Sequence, residues 1–297
     1  MQVATIIQVE GNASHFLIQP LPQLSGKSLL WRMVERVRAA RLVERVLVAA
    51  ASNPEYDAIA RHCEQTGLDC RRENSPDVLT RYYQIGLKLD VEAVAIIPAT
   101  SPLIDPEIID IVLSTFLERP DTFDAVSNLH PPSYPGGNDV EVIAMKALRM
   151  ACNDDACNSN ACNSDALNSI GKRGTAYFHE NSNRFRTQNV TWSTGLDYSK
   201  SHRLTVENKD DFKFVTAVFE ALYPHKPLFG INDILELLEK RPDNDTLNEK
   251  YLEMKLVGLS ACPADAMQVV KTIADYVCES KGGYGAFRDL AELIIAA

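Results

Sequence analysis

The order of apolar and polar segments along the chain predicts strands and helices in alternation. Residues 3–7 and 93–99 are apolar at nearly every position, which is typical of strands buried on both faces of a parallel sheet. Further strands are predicted at residues 43–52, 69–75, 124–129, 139–145, 184–192 and 203–208. Amphipathic helices are predicted at residues 27–40, 53–62, 76–89, 105–118, 210–222 and 232–240. This alternation predicts an α/β fold of the Rossmann-like type, with a mostly parallel sheet and helices on both faces.

The loop after the first strand is the first candidate for a ligand site. It runs over residues 8–25, is rich in polar residues and contains both Gly and Pro. A strand that leads into a loop and then a helix places the loop at the carboxyl edge of the sheet, where open α/β folds bind ligands. We therefore expect the functional site to include this loop.

Residues 151–169 have a different composition and a repeated pattern. Ala-Cys-Asn occurs at positions 151, 156 and 161, and Ala-Leu-Asn follows at 166, among Asn, Asp and Ser residues. A polar repeat without an apolar stripe predicts a surface loop over residues 150–170. A metal site made of Cys152, Cys157 and Cys162 is the alternative, but the cysteines of zinc sites stand closer together in sequence, and no His lies nearby.

Charge and composition exclude several classes of function. The 297 residues carry a formal net charge of −10 with scattered basic residues, which argues against a nucleic-acid-binding surface because phosphate contacts need clustered Lys and Arg. No apolar run is long enough to cross a membrane, and the first residues do not form a secretion signal. Seven cysteines without such a signal predict reduced thiols and a cytoplasmic protein.

Residues 25–28, Ser-Gly-Lys-Ser, match the last residues of the phosphate-binding P-loop motif. That motif needs another Gly five positions before Gly26, and Leu21 stands there. Lys27 instead lies at the predicted start of a helix, where its side chain and the main-chain N–H groups both favour an anion. A solvated helix start is the alternative interpretation of Lys27.

Several short motifs follow one another in a recognisable order. They are Ile-Ile-Gln at 6–8, Leu-Ser-Gly-Lys-Ser-Leu-Leu at 24–30, the segments 72–83 and 98–107, Tyr-Pro-Gly-Gly-Asn-Asp-Val-Glu-Val at 134–142, and Thr-Val-Glu-Asn-Lys-Asp-Asp-Phe at 205–212. In this order the chain resembles sugar-activating cytidylyltransferases, the group that includes CMP-Kdo and CMP-sialate synthetases and their spore-coat-polysaccharide relatives. The resemblance implies a nucleotidyltransferase domain over residues 1–241, which joins CTP to a sugar acid, releases pyrophosphate and uses Mg²⁺.

The resemblance also implies roles for individual residues, although it assigns no catalytic residue. Those implied in nucleotide binding are Gln8, Ser14, Lys27 and Arg72. Those implied in binding the sugar acid are Asp139, Lys172 and Arg173. Glu207 stands where the Kdo-type enzymes carry a metal carboxylate and is the implied Mg²⁺ ligand. For Asp139, turn formation alone is the alternative.

Four positions differ from the family in their chemistry. Glu10, His15 and Gln19 stand where the family has cations that neutralise the triphosphate, and Thr100 stands where the spore-coat relatives have a metal-binding Asp. Two interpretations follow. The protein is an active cytidylyltransferase with a changed set of contacts, or it is a non-catalytic subunit or nucleotide-sensing module that keeps the fold.

The C-terminal residues 242–297 carry a second resemblance. Residues 255–294 are similar to the end of a Kdo-8-phosphate-phosphatase-type haloacid-dehalogenase domain, which is fused behind the synthetase domain in animal CMP-sialate synthetases. Asp245 keeps the leading carboxylate of that family's Mg²⁺ motif, but no Asp-x-Asp nucleophile segment precedes Pro242. The resemblance implies a truncated domain without phosphatase activity and, as in the fused relatives, a homo-oligomer, either a dimer or a tetramer.

Overall fold

The computed structural model describes residues 1–9, 22–75, 77–119, 121–153 and 174–240, and the backbone of residues 261–262 and 276–277. The contacts divide the chain into two units, Met1–Asn244 and Asp245–Ala297. The strands of the first unit are β1 (Val3–Val9), β2 (Gln23–Leu24), β3 (Lys27–Ser28), β4 (Arg45–Ala51), β5 (Cys70–Glu73), β6 (Ala93–Pro98), β7 (Ala125–Ser127), β8 (Glu141–Ala144) and β9 (Thr187–Asn189). Its helices are α1 (Leu29–Arg38), α2 (Asp57–Thr66), α3 (Val78–Leu89), α4 (Pro106–Leu117), α5 (Met145–Cys152), α6 (Gly174–Glu180), α7 (Lys209–Leu222) and α8 (Ile231–Lys240).

The central sheet has the strand order β5-β4-β1-β6-β8-β7-β9. Strands β5, β4, β1 and β6 are parallel, β8 is antiparallel to β6 and to β7, and β9 is parallel to β7. From β1 the chain runs to β4 and β5 and then crosses to the other side of β1 as β6. The carboxyl ends of β1 and β6 therefore flank the crevice in which open α/β folds bind ligands. The predicted α/β fold with a mostly parallel sheet is confirmed.

Strands β1 and β6 lie in the middle of the hydrophobic core because nearly all of their side chains are apolar and buried. Ile6, Ile7 and Ile97 are fully buried. Complete burial of one such side chain contributes about 1.5–3 kcal/mol to stability. Right-handed crossovers that run in opposite directions place their helices on opposite faces, so α1 and α2 lie on one face and α3 on the other. On these faces α1 packs against α4, and α3 packs against α5.

Short polar side chains begin four of the helices. Ser28 precedes α1, Asp77 precedes α3, Asp105 precedes α4 and Asn208 precedes α7. Each of these side chains accepts a hydrogen bond from a main-chain N–H in the first turn. A cap of this kind contributes about 1 kcal/mol.

Two buried charged residues attach the start of α8 to the rest of the first unit. Arg36 on α1 donates through Nε to the carbonyl of Ile104 at 2.9 Å and through Nη2 to the carbonyl of Phe229 at 2.6 Å. Its guanidinium lies 4.2 Å from the centre of the Phe229 ring. Burial lowers the pKa of Arg36 to about 10, although nearby carboxylates act in the opposite direction. The carboxylate of Asp105 accepts a hydrogen bond from the N–H of Ile231, the first residue of α8.

The helix predicted to start near Lys27 is present but begins two residues later. Lys27 belongs to β3, which pairs with β2 in a hairpin, and α1 begins at Leu29. The turn of this hairpin has Ser25 and Gly26 in the left-handed region, with φ of 48° and 78°. The hairpin therefore takes up the residues that the apolar pattern assigns to the first turn of the helix.

The structure corrects three further elements. Residues 203–208 do not form a strand, and Arg203 makes an isolated β-bridge with Gly136. The strand predicted to reach Met145 ends one residue earlier, because α5 starts there. The strand predicted over residues 184–192 is limited to β9.

In the second unit, β10 (Ala261–Cys262) and β11 (Tyr276–Val277) pair in parallel. The apolar runs at residues 255–260 and 275–278 each predict a strand; β11 lies inside the second, and β10 directly follows the first. The other predictions for this unit lie outside the described residues, as does most of the loop predicted over 150–170, whose first residues belong to α5. No helix in the described part of the chain is long and apolar enough to cross a membrane.

Candidate active site

Two loops meet at the carboxyl ends of β1 and β6. The N–H of Ala99 donates to the carbonyl of Gln8 at 2.8 Å, so the loop after β6 begins beside the end of β1. The N–H of Val206 donates to the carbonyl of Thr100 at 2.8 Å. The segment before α7 is thereby joined to the ligand-binding edge of the sheet.

The turn at residues 134–139 is fixed against the same segment. The N–H of Gly136 donates to the carbonyl of His202 at 2.9 Å, and its carbonyl accepts from the N–H of Leu204 at 2.7 Å. Gly137 has φ of 96°, and a Cβ there would lie 2.9 Å from the carbonyl carbon of Leu204. This close approach of two backbones requires glycine.

Two buried asparagines hold the turn from the inside. Asn138 accepts through Oδ1 from the N–H of Asp105 at 3.0 Å, and its carbonyl accepts from Nδ2 of Asn128 at 2.7 Å. Asn128 also accepts from the N–H of Val140 at 3.0 Å. Asp139, the predicted ligand of the sugar acid, is half-buried between the two fixed positions. Its backbone is therefore held on both sides.

Glu207 directly follows Val206 and stands beside the loop after β6. Its carboxylate lies 3.7 Å from Nη1 of Arg203, and its N–H donates to the carboxylate of Asp211 at 2.7 Å. Arg203 and Asp211 are buried and form an ion pair with each other. Burial raises the pKa of Asp211, while hydrogen bonds from the Glu207 N–H and from Arg203 act to lower it. Glu207 is thus positioned by a buried pair of charges.

The fit of Mg²⁺ to this place is poor. Magnesium requires an octahedral set of oxygen ligands, usually with one or two carboxylates. Among the described residues, no group of three or more His, Cys, Asp or Glu side chains could hold a metal ion. Thr100 supplies no carboxylate beside Glu207, which already faces Arg203. In the described ranges, the neighbours of Glu207 do not complete a magnesium site.

Arg72 lies at the same edge of the sheet but farther from β1. Val9 is level with Ala50 on β4, and Ala50 is level with Arg72 on β5. Since neighbouring strands are about 4.8 Å apart, the backbone of Arg72 lies roughly 10 Å from that of Val9. The guanidinium donates to the carboxylate of Asp57 at 2.7 Å and to the carbonyl of Asn53 at 2.8 Å. An incoming phosphate would compete with Asp57 for Arg72.

Lys27 is exposed on the hairpin that precedes α1. Its ammonium group lies 5.0 Å from the centre of the Trp31 ring. The next residue, Ser28, caps α1, and its hydroxyl lies 2.7 Å from Nε2 of His62 on α2. Burial lowers the pKa of His62 and so favours a neutral ring at this contact. Lys27, the predicted nucleotide-binding cation, thus lies in the β2–β3 hairpin and not in the first turn of α1.

A small pocket opens where the carboxyl ends of β1, β4 and β5 approach α3, with room for about one water molecule. It is lined by Gln8, Val9, Ala49, Ala50, Ala51, Glu73, Arg81, Tyr82 and Ile85. The hydroxyl of Tyr82 donates to the side-chain oxygen of Gln8. Arg81 is buried there and donates to the carbonyl of Ser75 at 2.6 Å. The sequence motifs assigned no role to Arg81. An Arg on the buried face of an amphipathic helix is rare, however, and this position could have indicated a functional residue.

The predicted site residues therefore fall into three groups. Gln8, Asp139 and Glu207 lie in segments that meet at the ends of β1 and β6. Arg72 lies farther along the same edge, and Lys27 lies on the hairpin before α1. Ser14, Lys172 and Arg173, together with the changed positions Glu10, His15 and Gln19, lie outside the described residues.

A family model described as cytidylyltransferase matches residues 4–220. This range includes β1, the loop after β6, the turn at 134–139 and Glu207. The chain belongs to the cytidylyltransferase family. The match ends before α8, so it does not support the haloacid-dehalogenase resemblance of the C-terminal residues.

Two relatives of the chain are named as cytidylyltransferases, and a third is an uncharacterized protein. The uncharacterized protein MJ1063 of Methanocaldococcus jannaschii is 25% identical over 252 residues, which cover 84% of this chain and 95% of that protein. The 3-deoxy-manno-octulosonate cytidylyltransferase of Syntrophotalea carbinolica is 23% identical over 120 residues, covering 40% of this chain and 47% of the relative. The mitochondrial enzyme of the same name from Arabidopsis thaliana is 30% identical over 141 residues, covering 44% and 46%. The chain thus spans about half the length of these two relatives.

A solved cytidylyltransferase structure from Leptospira borgpetersenii has the same fold. The two chains superpose with a TM-score of 0.68 at 18% sequence identity, over 82% of this chain and 94% of the other. At this identity the likeness concerns the fold alone.

Proposed function

We propose that this protein transfers CMP from CTP to a sugar acid and releases pyrophosphate. The observation that carries the proposal is the 2.8 Å hydrogen bond from the N–H of Val206 to the carbonyl of Thr100, which joins Glu207 to the loop after β6. That edge of the sheet is the usual ligand crevice of open α/β folds. The two relatives named as 3-deoxy-manno-octulosonate cytidylyltransferases favour a sugar acid as the acceptor.

In this reaction a hydroxyl oxygen of the sugar acid attacks the α-phosphorus of CTP. The bond from that phosphorus to the bridging oxygen breaks, pyrophosphate leaves, and the proton of the hydroxyl group passes to water. Positioning of the two substrates and neutralisation of the phosphates supply most of the acceleration in reactions of this kind. We assign the binding of CTP to Gln8, Ser14, Lys27 and Arg72.

We assign the binding of the sugar acid to Asp139, Lys172 and Arg173. A carboxylate accepts hydrogen bonds from sugar hydroxyl groups, and the two cations attract the acid group of the substrate. The fixed turn supports this role for Asp139, since hydrogen bonds of Asn138 and Val140 hold its backbone on both sides. The described neighbours of Glu207 do not complete a Mg²⁺ site, so the Mg²⁺ that the resemblance implies enters no step of this proposal.

A non-catalytic, nucleotide-sensing subunit is the second candidate. Two observations favour it. Thr100 provides no carboxylate next to Glu207, and the guanidinium of Arg72 is engaged by Asp57 at 2.7 Å. Such a protein would bind CTP at the edge of the sheet and transmit this state to another subunit without forming a product.

Titration calorimetry and a pyrophosphate-release assay separate the two functions. CTP and the other three nucleoside triphosphates are tested with and without Mg²⁺, against a panel of sugar acids that includes 3-deoxy-manno-octulosonate. Pyrophosphate release with one acid supports the transferase, whereas CTP binding without any product supports the sensor. If CTP gives no heat at millimolar concentration, the transferase and the nucleotide sensor both fall, and a non-catalytic subunit that binds no nucleotide is left. Lys27→Ala is expected to weaken CTP binding, and the exposed Lys240→Ala on α8 serves as the matched control.

We further propose a homo-oligomer, a dimer or tetramer, located in the cytoplasm, with a C-terminal unit that derives from a haloacid-dehalogenase domain without activity. The support is the sequence resemblance of residues 255–294 and the cysteine content alone. Light scattering of the purified protein gives the number of subunits. Release of phosphate from a sugar phosphate that Asp245→Ala abolishes would contradict the inactive C-terminal unit.

A further inference from the structure

Two cysteines lie where α2 leads into β5, and the proposed function uses neither of them. Cys63 lies in the last turn of α2 and is fully buried, and Cys70 begins β5 and is half-buried. Both are free thiols, and they are close enough for their side chains to shift the pKa of one another. We propose that Cys63 and Cys70 form a redox-active dithiol, which a hydroperoxide oxidises to a disulfide within the chain.

The backbone between the two residues brings the thiols together. Gly67 ends α2 in the left-handed conformation, with φ of 71°, and the N–H of Leu68 donates to the carbonyl of Cys63 at 2.9 Å. The chain therefore turns back towards the sheet, where Cys70 is level with Val48 on β4. Helix α2 also packs against β5, so Cys63 and Cys70 lie on two neighbouring elements of the fold.

The surroundings assign different roles to the two thiols. The hydrogen bond from Cys63 lowers the pKa of Cys70, and Arg72 and Arg71 act in the same direction, against burial and Asp69. The hydrogen bond to Cys70, together with burial, raises the pKa of Cys63. The thiolate is the form that attacks an oxidant, so Cys70 reacts first. Its partial exposure also gives the oxidant access.

The chemistry proceeds in two balanced steps. The Cys70 thiolate attacks one oxygen of hydrogen peroxide, the O–O bond breaks, and hydroxide leaves and takes a proton to become water. Cys70 is then a sulfenic acid. The Cys63 sulfur attacks the Cys70 sulfur, the S–O bond breaks, and a second water molecule leaves with the Cys63 proton. Two thiols are oxidised to one disulfide while one peroxide is reduced to two water molecules.

Peptide mapping tests the proposal directly because trypsin cleaves after Arg61 and Arg71 and releases both thiols in one peptide, residues 62–71. The reduced protein is exposed to hydrogen peroxide in its native state, quenched with an alkylating agent in denaturant, and digested. We expect this peptide to lose the mass of two hydrogen atoms and to resist alkylation. Treatment with dithiothreitol before alkylation should restore two alkyl groups.

Single variants separate the two roles. Cys63→Ser should stop at a Cys70 sulfenic acid that dimedone traps, whereas Cys70→Ser should leave Cys63 reduced. The matched control is Cys152→Ser on α5, which should form the disulfide like the wild-type chain. Full alkylation of both thiols after peroxide treatment, or a disulfide from Cys70 to another cysteine, overturns the proposal. If circular dichroism shows that a serine variant is unfolded, the peptide map of the wild-type chain alone decides.

Discussion

The carboxylate of Asp105 accepts a 2.7 Å hydrogen bond from the N–H of Ile231, which lies 126 positions further along the chain. The same side chain accepts from the N–H of Glu107 at 2.8 Å, so one buried carboxylate caps α4 and also holds the first turn of α8. Through its own N–H, Asp105 is bonded to Asn138 in the turn that carries Asp139. Helix α8, which lies beyond the residues that the family model matches, is thus linked to the candidate site.

Asp105→Ala is expected to destabilise the fold more than the loss of an ordinary cap. Removal of a helix cap costs about 1 kcal/mol, and leaving a second buried N–H without an acceptor adds roughly 1–3 kcal/mol. Urea unfolding followed by circular dichroism measures the difference. Asp77→Ala is the control, because Asp77 caps α3 alone. Equal losses in the two variants would mean that the bond to Ile231 contributes nothing.

Gly137→Ala is expected to disturb the turn of the candidate site. The new methyl group would meet the backbone of Leu204 at 2.9 Å in addition to the strain of a positive φ. Gly195 also has a positive φ, of 74°, but an added Cβ would meet nothing within 4 Å, so Gly195→Ala isolates the conformational cost, about 1–2 kcal/mol. Gly137→Ala should cost at least about twice as much and should also weaken binding of the sugar acid. Similar unfolding curves for the two variants would argue against a rigid turn.

Stability should fall on the acid side because of His130. Its ring stacks on that of His179 with centroids 5.1 Å apart, and burial and then the charge of His179 lower its pKa below the ordinary value of 6.5, against Glu180. Below about pH 6.5 the unfolded chain therefore binds more protons at this position than the folded chain, so stability is lost as the pH falls towards the folded pKa.

His130→Gln should flatten this acid-side slope, measured as the urea midpoint at several pH values between about 7 and 5. His225→Gln is the control, since His225 is exposed in the turn after α7. An unchanged slope in His130→Gln would place the acid sensitivity at another group.

Asp57→Asn is expected to raise the affinity for CTP if Arg72 binds the nucleotide. The substitution weakens the 2.7 Å ion pair that engages the guanidinium, and release from a partly exposed pair of this kind corresponds to about a threefold to fivefold gain. Arg72→Ala should weaken binding by about tenfold. Calorimetry on the double variant completes the cycle, because Asp57→Asn should have no effect once Arg72 is gone. A gain that persists without Arg72 would assign the effect to Asp57 itself.

Most of the sheet could be predicted because buried parallel strands are apolar on consecutive residues, as in β1, β4 and β6. The strand predicted at 203–208 shows where this reasoning fails. Leu204 and Val206 alternate with polar residues as in a strand, but their N–H groups bond to Gly136 and Thr100, which belong to different segments. An alternation of apolar and polar residues shows that one side of a segment is buried, but it does not show that the segment pairs with another strand.

The candidate site could be predicted only in part. Short motifs indicated Gln8, Asp139 and Glu207, but their proximity depends on the return of the chain from β8 to the segment before α7, which no local pattern encodes. The ion pair of Arg72 with Asp57 joins the consecutive elements β5 and α2, and it depends on how the helix packs on the strand, which the sequence pattern does not show. The sequence did not indicate Arg203 as a site residue, because it is one polar position in an alternating apolar and polar run. In the structure Arg203 is buried and forms an ion pair with Asp211.

The contact of Arg36 with Phe229 has a practical consequence for shortening the protein. A fragment that stops at the end of the family match, residue 220, would lose the carbonyl that Arg36 donates to at 2.6 Å and the aromatic ring above its guanidinium. The buried guanidinium would then keep only its bond to the carbonyl of Ile104, and an incompletely paired charge in the interior favours aggregation during expression. The smallest fragment suited to recombinant work therefore extends through Lys240, the last residue of α8.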